Sequence, residues 1–312
     1  MSAHTLRIIG IVLVAGIVVA GLGIRFALAR MLSTGGAPTD AIQKTVKSKD
    51  GTLIAYERMG AGPAVILVSA ALADRDGARR LERQLESSFT VFNYDRRGRG
   101  KSSDVQPYAV EREVEDIEAL INAAGQPVFL FGSSSGAVLA LDAGSRYGAR
   151  VRKLFLYEPP FIVDASHAPI PDSLQSEIGD RVAAGKRGDG VALFFRKGMG
   201  IPAPGVTFMR LLLPAWRDMA AIAQTAPYDL KILAGTQSGK PLPPDRWSRE
   251  TPPAMVAVGA KSEAFFHNGA RALTALLPAT DYRSLDGMDH SAVLMAPQAL
   301  AAAIRQYFAN GK

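Results

Sequence analysis

Cysteine is absent from this chain, which removes disulfide frameworks, thiolate metal sites and cysteine nucleophiles together. Histidine is scarce. Its four copies, His4, His167, His267 and His290, are the whole supply of imidazole bases or ligands. Long tracts of one charge are missing as well: the net charge of +7 comes from 36 Lys and Arg scattered among 29 Asp and Glu. With few aromatic residues interleaved, that pattern does not describe a nucleic-acid surface. No G-x-G-x-x-G run opens a helix and no metal-ligand spacing occurs, so neither a cofactor nor a metal is expected. Against these absences, 312 residues at 48% hydrophobic and 21% charged are ample for a buried core and too apolar for a disordered chain.

Residues 1–30 stand apart. From Ile8 to Ile24 the run IIGIVLVAGIVVAGLGI carries no charge and reaches about 25 Å as a helix, long enough with Arg25 to Leu28 to span a bilayer. Arg7 and Arg30 flank it, and Arg25 would snorkel. Two readings stay open: a retained membrane anchor, or a signal segment cleaved at the small-x-small run Ala27-Leu28-Ala29. The first makes the protein membrane-anchored; the second makes it periplasmic or extracellular. Residues 31–48, MLSTGGAPTDAIQKTVKS, show no apolar period and read as a linker.

Residues 49–312 alternate short apolar runs with helical patterns, the order of a mostly parallel central sheet covered by helices on both faces. Strands are expected at Thr52 to Arg58, Ala64 to Ser69, Thr90 to Tyr94, Pro127 to Phe131, Lys153 to Tyr157, Ala254 to Val258 and Thr280 to Leu285. Helices are expected at Asp74 to Glu86, Val110 to Ala123, Ser135 to Tyr147 and Pro297 to Phe308, with His267 on a further helix. Between about residues 160 and 247 the alternation stops and helical patterns follow one another, as in an inserted cap. PLPPDRWSRETPP, with five prolines, returns the chain to the sheet.

The strongest local signal is PVFLF running through Gly132-Ser133-Ser134-Ser135-Gly136 into AVLALDAGSRY. A buried strand thus enters a helix through G-x-S-x-G, which exposes the central hydroxyl, Ser134, on a tight turn. The helix aims its first amides at that point, so the N–H of Ser135 is a candidate oxyanion donor. A serine hydroxyl needs a base within reach. His290, on a loop after the last expected strand, is the candidate.

Residues 50–312 resemble the α/β-hydrolase fold. Besides G-x-S-x-G, the run Asp95-Arg96-Arg97-Gly98-Arg99-Gly100-Lys101-Ser102 looks like that family's D-x-R-G-x-G-x-S loop, whose role is mainly structural; taken alone, it would be a basic surface loop. The insertion after Tyr157 matches the family's cap position, and Gly287-Met288-Asp289-His290 falls where the family places its catalytic histidine. The resemblance implies a Ser-His-acid triad of Ser134, His290 and an acid. The family's commonest acid position holds Ser262 in this chain. The acid is therefore expected at Glu158, in Tyr157-Glu158-Pro159-Pro160, with Glu263 as the alternative; Asp286, or a dyad without an acid, is a further possibility. Asp289 is adjacent to His290 and badly placed to serve it. The second oxyanion donor of the family lies after the strand Ala64 to Val68, often at His-Gly; Ser69-Ala70-Ala71-Leu72 stands there, and the N–H of Ala71 is the candidate.

A serine nucleophile argues against epoxide and haloalkane chemistry and for acyl transfer to water, with carboxylesterase activity (EC 3.1.1) the leading expectation and a small acyl compound the substrate. Phe194, Phe195, Met199, Phe208, Met209, Leu211 to Leu213 and Trp216 would either roof an acyl pocket or pack the cap onto the core. Two alternatives remain: a non-catalytic member that binds an apolar ligand or a partner, and a cofactor-free oxidative activity with peroxide.

Overall fold

Runs such as AVILV and VFLFGS have no polar face, and a strand of that composition is stable only where both faces are covered. In the computed structural model, which describes residues 41–247 and 250–309, Ala64–Val68 (β3) and Val128–Ser133 (β5) are buried throughout and lie side by side at the sheet centre. The remaining strands are Ile42–Lys47 (β1), Leu53–Met59 (β2), Thr90–Tyr94 (β4), Val151–Tyr157 (β6), Ala254–Gly259 (β7) and Thr280–Leu285 (β8). Among the described residues they form one eight-stranded sheet in the order β1-β2-β4-β3-β5-β6-β7-β8. β2 pairs antiparallel with β1 and β4; every other pairing is parallel.

Alternate residues divide the core into two layers, as the pleat requires. Ile66, Val68, Leu130, Leu154, Leu156, Val256 and Val258 face the layer completed by helices Val110–Ala124 (α2), Ser135–Tyr147 (α3) and Ala264–Leu276 (α9). Val65, Leu67, Phe129, Phe131, Phe155 and Ala257 face the layer completed by Arg79–Leu85 (α1) and Pro297–Ala309 (α11). The short helix Ala292–Met295 (α10) leads into α11.

Between β6 and β7 the chain builds helices Leu174–Ala183 (α4), Arg187–Leu193 (α5), Ala203–Leu212 (α6), Trp216–Ala221 (α7) and Ala226–Ile232 (α8). Leu174, Ile178, Val191, Phe194, Phe195, Val206 and Trp216 form a third apolar cluster, which Leu72 joins from the sheet side. Of the residues read as either roofing a pocket or packing the cap, Phe194, Phe195 and Trp216 pack in this cluster, while Phe208 and Leu211 are 55% and 64% exposed. The return segment is tied down where Arg246 and Trp247 Nε1 both bond Asp142 of α3.

Two expectations change and one open reading is decided. Ile42–Lys47, read as the end of the linker, is strand β1; it is exposed along most of its length, so no apolar alternation marks it, and its lysines suit an uncovered edge. The helix expected from Asp74 begins as a 3-10 turn over Arg75–Ala78, capped by the Asp74 carboxylate, and becomes α-helical only at Arg79. The Arg96-Arg97-Arg99 run, which taken alone would be a basic surface loop, has all three side chains at most 1% exposed, in line with the structural role that the resemblance implies. The anchor or signal segment expected at residues 1–30 lies outside the described residues. Among the described residues no helix is long and apolar enough to cross a membrane.

Candidate active site

Strand order sets the place. From β3 the chain continues to β4 on one side and later to β5 on the other, so the carboxyl ends of β3 and β5 mark the switch point at which open α/β sheets bind ligands. Residues 69–72 leave β3 at that edge and Ser134 leaves β5. The aromatic groove of Phe89, Phe129 and Phe308 lies at the opposite end of these strands.

Ser134 has φ 54° and ψ −126°, a left-handed conformation that costs a non-glycine residue about 1–3 kcal/mol. Its neighbours hold it there: the N–H of Ser134 donates to the Tyr157 carbonyl at 2.9 Å, and its carbonyl accepts from the Ala137 N–H. Ser133 and Ser135 are buried, whereas Ser134 is only half-buried. Gly136 makes the turn possible, because a Cβ there would lie 2.4 Å from the Val68 carbonyl oxygen and 2.5 Å from that of Ser69. The first turn of α3 is thereby pressed against the end of β3, bringing Ser134 and Ser135 beside the loop that carries Ala71.

Glu158 immediately follows β6, whose last residue, Tyr157, pairs with Ser133 of β5 and Ala257 of β7. Like Ser134 it has a positive φ, 49°, and its side chain is completely buried. Each carboxylate oxygen has partners. Oε1 accepts from the Gly259 N–H at 2.7 Å and from the Ser262 hydroxyl; Oε2 lies 2.7 Å from His290 Nδ1. Ser262, at the position where the resemblance would first place an acid, thus donates to the carboxylate of Glu158. The His290 ring is stacked on Phe266, with centroids 4.8 Å apart. Its loop is held by two contacts: Tyr157 Oη donates to the Asp289 carbonyl at 2.6 Å, and the Lys261 N–H donates to the Met288 carbonyl. Gly259 admits the loop, since a Cβ there would lie 2.5 Å from Met288. Burial, followed by the charges of Glu158 and Asp289, pushes the Tyr157 hydroxyl above its ordinary range, so it remains a donor.

The other candidates fall elsewhere. Glu263 is exposed at the start of α9, and Asp286 is exposed after β8. Asp289 accepts from the Ser291 hydroxyl and N–H, and these bonds hold its carboxyl below the usual range. His267 Nδ1 contacts Tyr282 Oη, and His167 Nδ1 the Ala168 carbonyl.

Sequence reasoning missed a buried charge cluster beside the turn. Asp229 of α8 accepts from Arg96 Nη1, Arg99 Nη2 and the Ser135 hydroxyl, each at 2.7 Å. Burial works to raise its pKa, but Arg96 and Arg99 outweigh burial and hold the carboxyl below the usual range. The only signal was three arginines within four residues, which need carboxylates if the loop is buried.

Comparison with known proteins bears on the fold and the family. The chain resembles an alpha/beta hydrolase of known structure from Sphaerobacter thermophilus DSM 20745, 41% identical, TM-score 0.78, covering 85% of this chain and all of that one. A thermophilic esterase from Thermogutta terrifontis superposes with a TM-score of 0.61 over 86% of this chain and 98% of that one, and at 20% identity shows the fold alone. The Uncharacterized hydrolase YraK of Bacillus subtilis (strain 168) is 34% identical over 113 residues, 35% of this chain; the chain spans only 42% of that relative's length. The family model described as Alpha/beta hydrolase family matches residues 60–303. With its sheet order, its strained serine turn and this match over most of its length, the chain belongs to the alpha/beta hydrolase family.

Proposed function

We propose that this hydrolase cleaves an ester or related acyl bond of a small molecule through an acyl-enzyme, with Ser134 as nucleophile, His290 as base and Glu158 as the acid. The observation that carries the reading is the hydrogen bond between Glu158 Oε2 and His290 Nδ1, at the same sheet edge as the strained Ser134 turn. A carboxylate on Nδ1 fixes the imidazole tautomer with its proton there, which leaves the Nε2 lone pair to act as base.

On this reading, Ser134 Oγ attacks the acyl carbon as its proton passes to His290 Nε2. The carbonyl electron pair moves onto oxygen, and the N–H groups of Ser135 and Ala71 hold the resulting oxyanion. Collapse breaks the bond to the leaving alkoxide, which takes the proton from His290. Water repeats the sequence on the acyl-enzyme, regenerates Ser134 and releases the carboxylic acid. The alternative of a non-catalytic binder drew on the serine at position 262 and on the altered loop; the bond from Ser262 to Glu158 gives that serine a part in the same arrangement.

The test is labelling by a fluorophosphonate and hydrolysis of p-nitrophenyl acetate and butyrate. Wild type is expected to label stoichiometrically and turn over, and Ser134→Ala to do neither. A wild type as inert as Ser134→Ala across both esters sinks the hydrolase reading and favours the binder.

A further inference from the structure

Arg96, Arg99 and Asp229 hold three formal charges out of water, two positive against one negative before Glu113 joins Arg96 through a bidentate pair at 2.8 and 2.9 Å. An ion cluster so deeply buried is an expensive way to stabilise a protein, and its geometry has to be specific for the cost to be recovered. The specificity lies in what else these groups hold. Arg99 Nη1 donates to the carbonyls of Ala70 and Ala73, at 2.6 and 2.9 Å, and Arg96 Nη1 donates to the carbonyl of Ser69. Three carbonyls of the loop after β3 are thereby fixed by two guanidinium groups that share one carboxylate. The same carboxylate accepts from the hydroxyl of Ser135. Within that loop Leu72 has φ 54° and drives its side chain into the cap cluster.

We propose that Asp229, reaching down from the cap, is a positioning residue: through Arg96, Arg99 and Ser135 it sets the spacing between the two oxyanion donors, the N–H groups of Ala71 and Ser135. The proposal rests on the acyl-transfer reading above. The loop Ser69-Ala70-Ala71-Leu72 has no glycine of its own, and the two arginines clamp its carbonyls from outside. The cap and the oxyanion site become one unit, so a displaced α8 releases both donors together.

The geometry also shows why the cap need not detach when Asp229 is altered. Tyr228 is stacked on Tyr108 with centroids 3.7 Å apart, its hydroxyl bonds Asp104, and Arg246 holds the Ile232 carbonyl at the far end of α8. Asp229→Asn therefore loosens the donors while α8 keeps other anchors. Oxyanion donors act on the transition state, and a misplacement of about 1 Å costs about 100-fold. For Asp229→Asn, kcat on p-nitrophenyl butyrate should fall about 10- to 100-fold with KM within about threefold, and fluorophosphonate labelling should slow in parallel. Ser135→Ala, which deletes one hydroxyl and leaves the charges paired, should lower kcat about three- to tenfold. Phe308→Leu, which shrinks a buried ring in the opposite core layer, serves as a control for general destabilisation and should keep kcat within about twofold.

Hydrogen–deuterium exchange of residues 69–73 is measured on the same proteins. The expected result is exchange at least about tenfold faster in Asp229→Asn and unchanged in Phe308→Leu, because only the first removes the clamp. The proposal is overturned if Asp229→Asn and Ser135→Ala keep wild-type kcat and loop protection. It is equally overturned if Phe308→Leu loses kcat as much as they do, since that would be a general effect of instability. Should wild type neither label nor turn over, the hydrolase reading fails, and the exchange arm still decides whether Asp229 fixes the loop.

Discussion

A carboxylate withdrawn from water needs donors for its lone pairs, and Glu158 has the Gly259 N–H, the Ser262 hydroxyl and His290. If this carboxylate orients His290, Glu158→Gln leaves the shape almost intact but offers an amide that can stabilise the wrong tautomer. The expected loss in kcat is about 10³- to 10⁴-fold, with folding preserved. Glu263→Gln, at an exposed site, should stay within about twofold. Steady-state rates on p-nitrophenyl butyrate distinguish the two, and a larger loss for Glu263→Gln would reassign the acid. Ser134 and His290 were legible in the sequence because each follows a recognisable strand. Glu158 was expected beside His290 with Glu263 as the alternative, since spacing along the chain does not say whether residue 158 or residue 263 faces the imidazole. That choice is made by register: β6 and β7 pair Tyr157 with Ala257, which brings Glu158 to the amide of Gly259. Asp229 was wholly illegible. It lies 130 residues from Arg99, within a helix whose local pattern is ordinary.

Elements buried on two faces announced themselves, and elements lacking such a face did not. β3 and β5 were readable as uninterrupted apolar runs, and α3 as the helix completing G-x-S-x-G. β1 was lost because an exposed edge strand can be built from IQKTVK without alternation. The close approach of α3 to β3 was also only half visible: a glycine after the serine was expected, but not that the Val68 and Ser69 carbonyl oxygens would leave no room for a methyl. Gly136→Ala must push α3 away from β3, since the obstacles are backbone atoms that cannot rotate aside. Overpacking of this kind costs about 1–3 kcal/mol, and the displaced helix start would carry Ser134 and Ser135 with it. Denaturant unfolding should show that loss, and residual activity at full folding should fall at least about tenfold. A Gly136→Ala protein with wild-type stability and rate would show that α3 does not bear on β3 as described.

At the scale of the molecule, buried carboxyls link stability to pH. Glu82 of α1 and Glu57 of β2 are both completely buried around Arg79, whose Nη1 lies 2.6 Å from Glu57 Oε1, while Asn93 donates to Glu82 Oε2 at 2.9 Å. Burial first, then the charge of Glu57, raises Glu82 from its ordinary 4.5 to about 8. Asp116 is raised by burial to about 6 in spite of its pair with Arg97. The fold keeps protons on these groups that the unfolded chain releases, so their contribution is full below the ordinary carboxylate values and declines as pH rises to the folded values. Each such proton costs up to about 1.4 kcal/mol per pH unit within its window. Asp50 works in the opposite sense: burial would raise it, but Arg97 and Thr52 hold it at about 2, so its stabilisation is lost as pH falls below the ordinary range. Glu82→Gln isolates one window, because glutamine keeps the shape and carries no titrating proton. Urea midpoints from pH 5 to pH 9 should show wild type losing ground to Glu82→Gln up to about pH 8 and holding a constant difference beyond it. A difference constant across the whole range would mean that Glu82 gives up its proton below pH 5, with Arg79 then balancing two buried charges by itself.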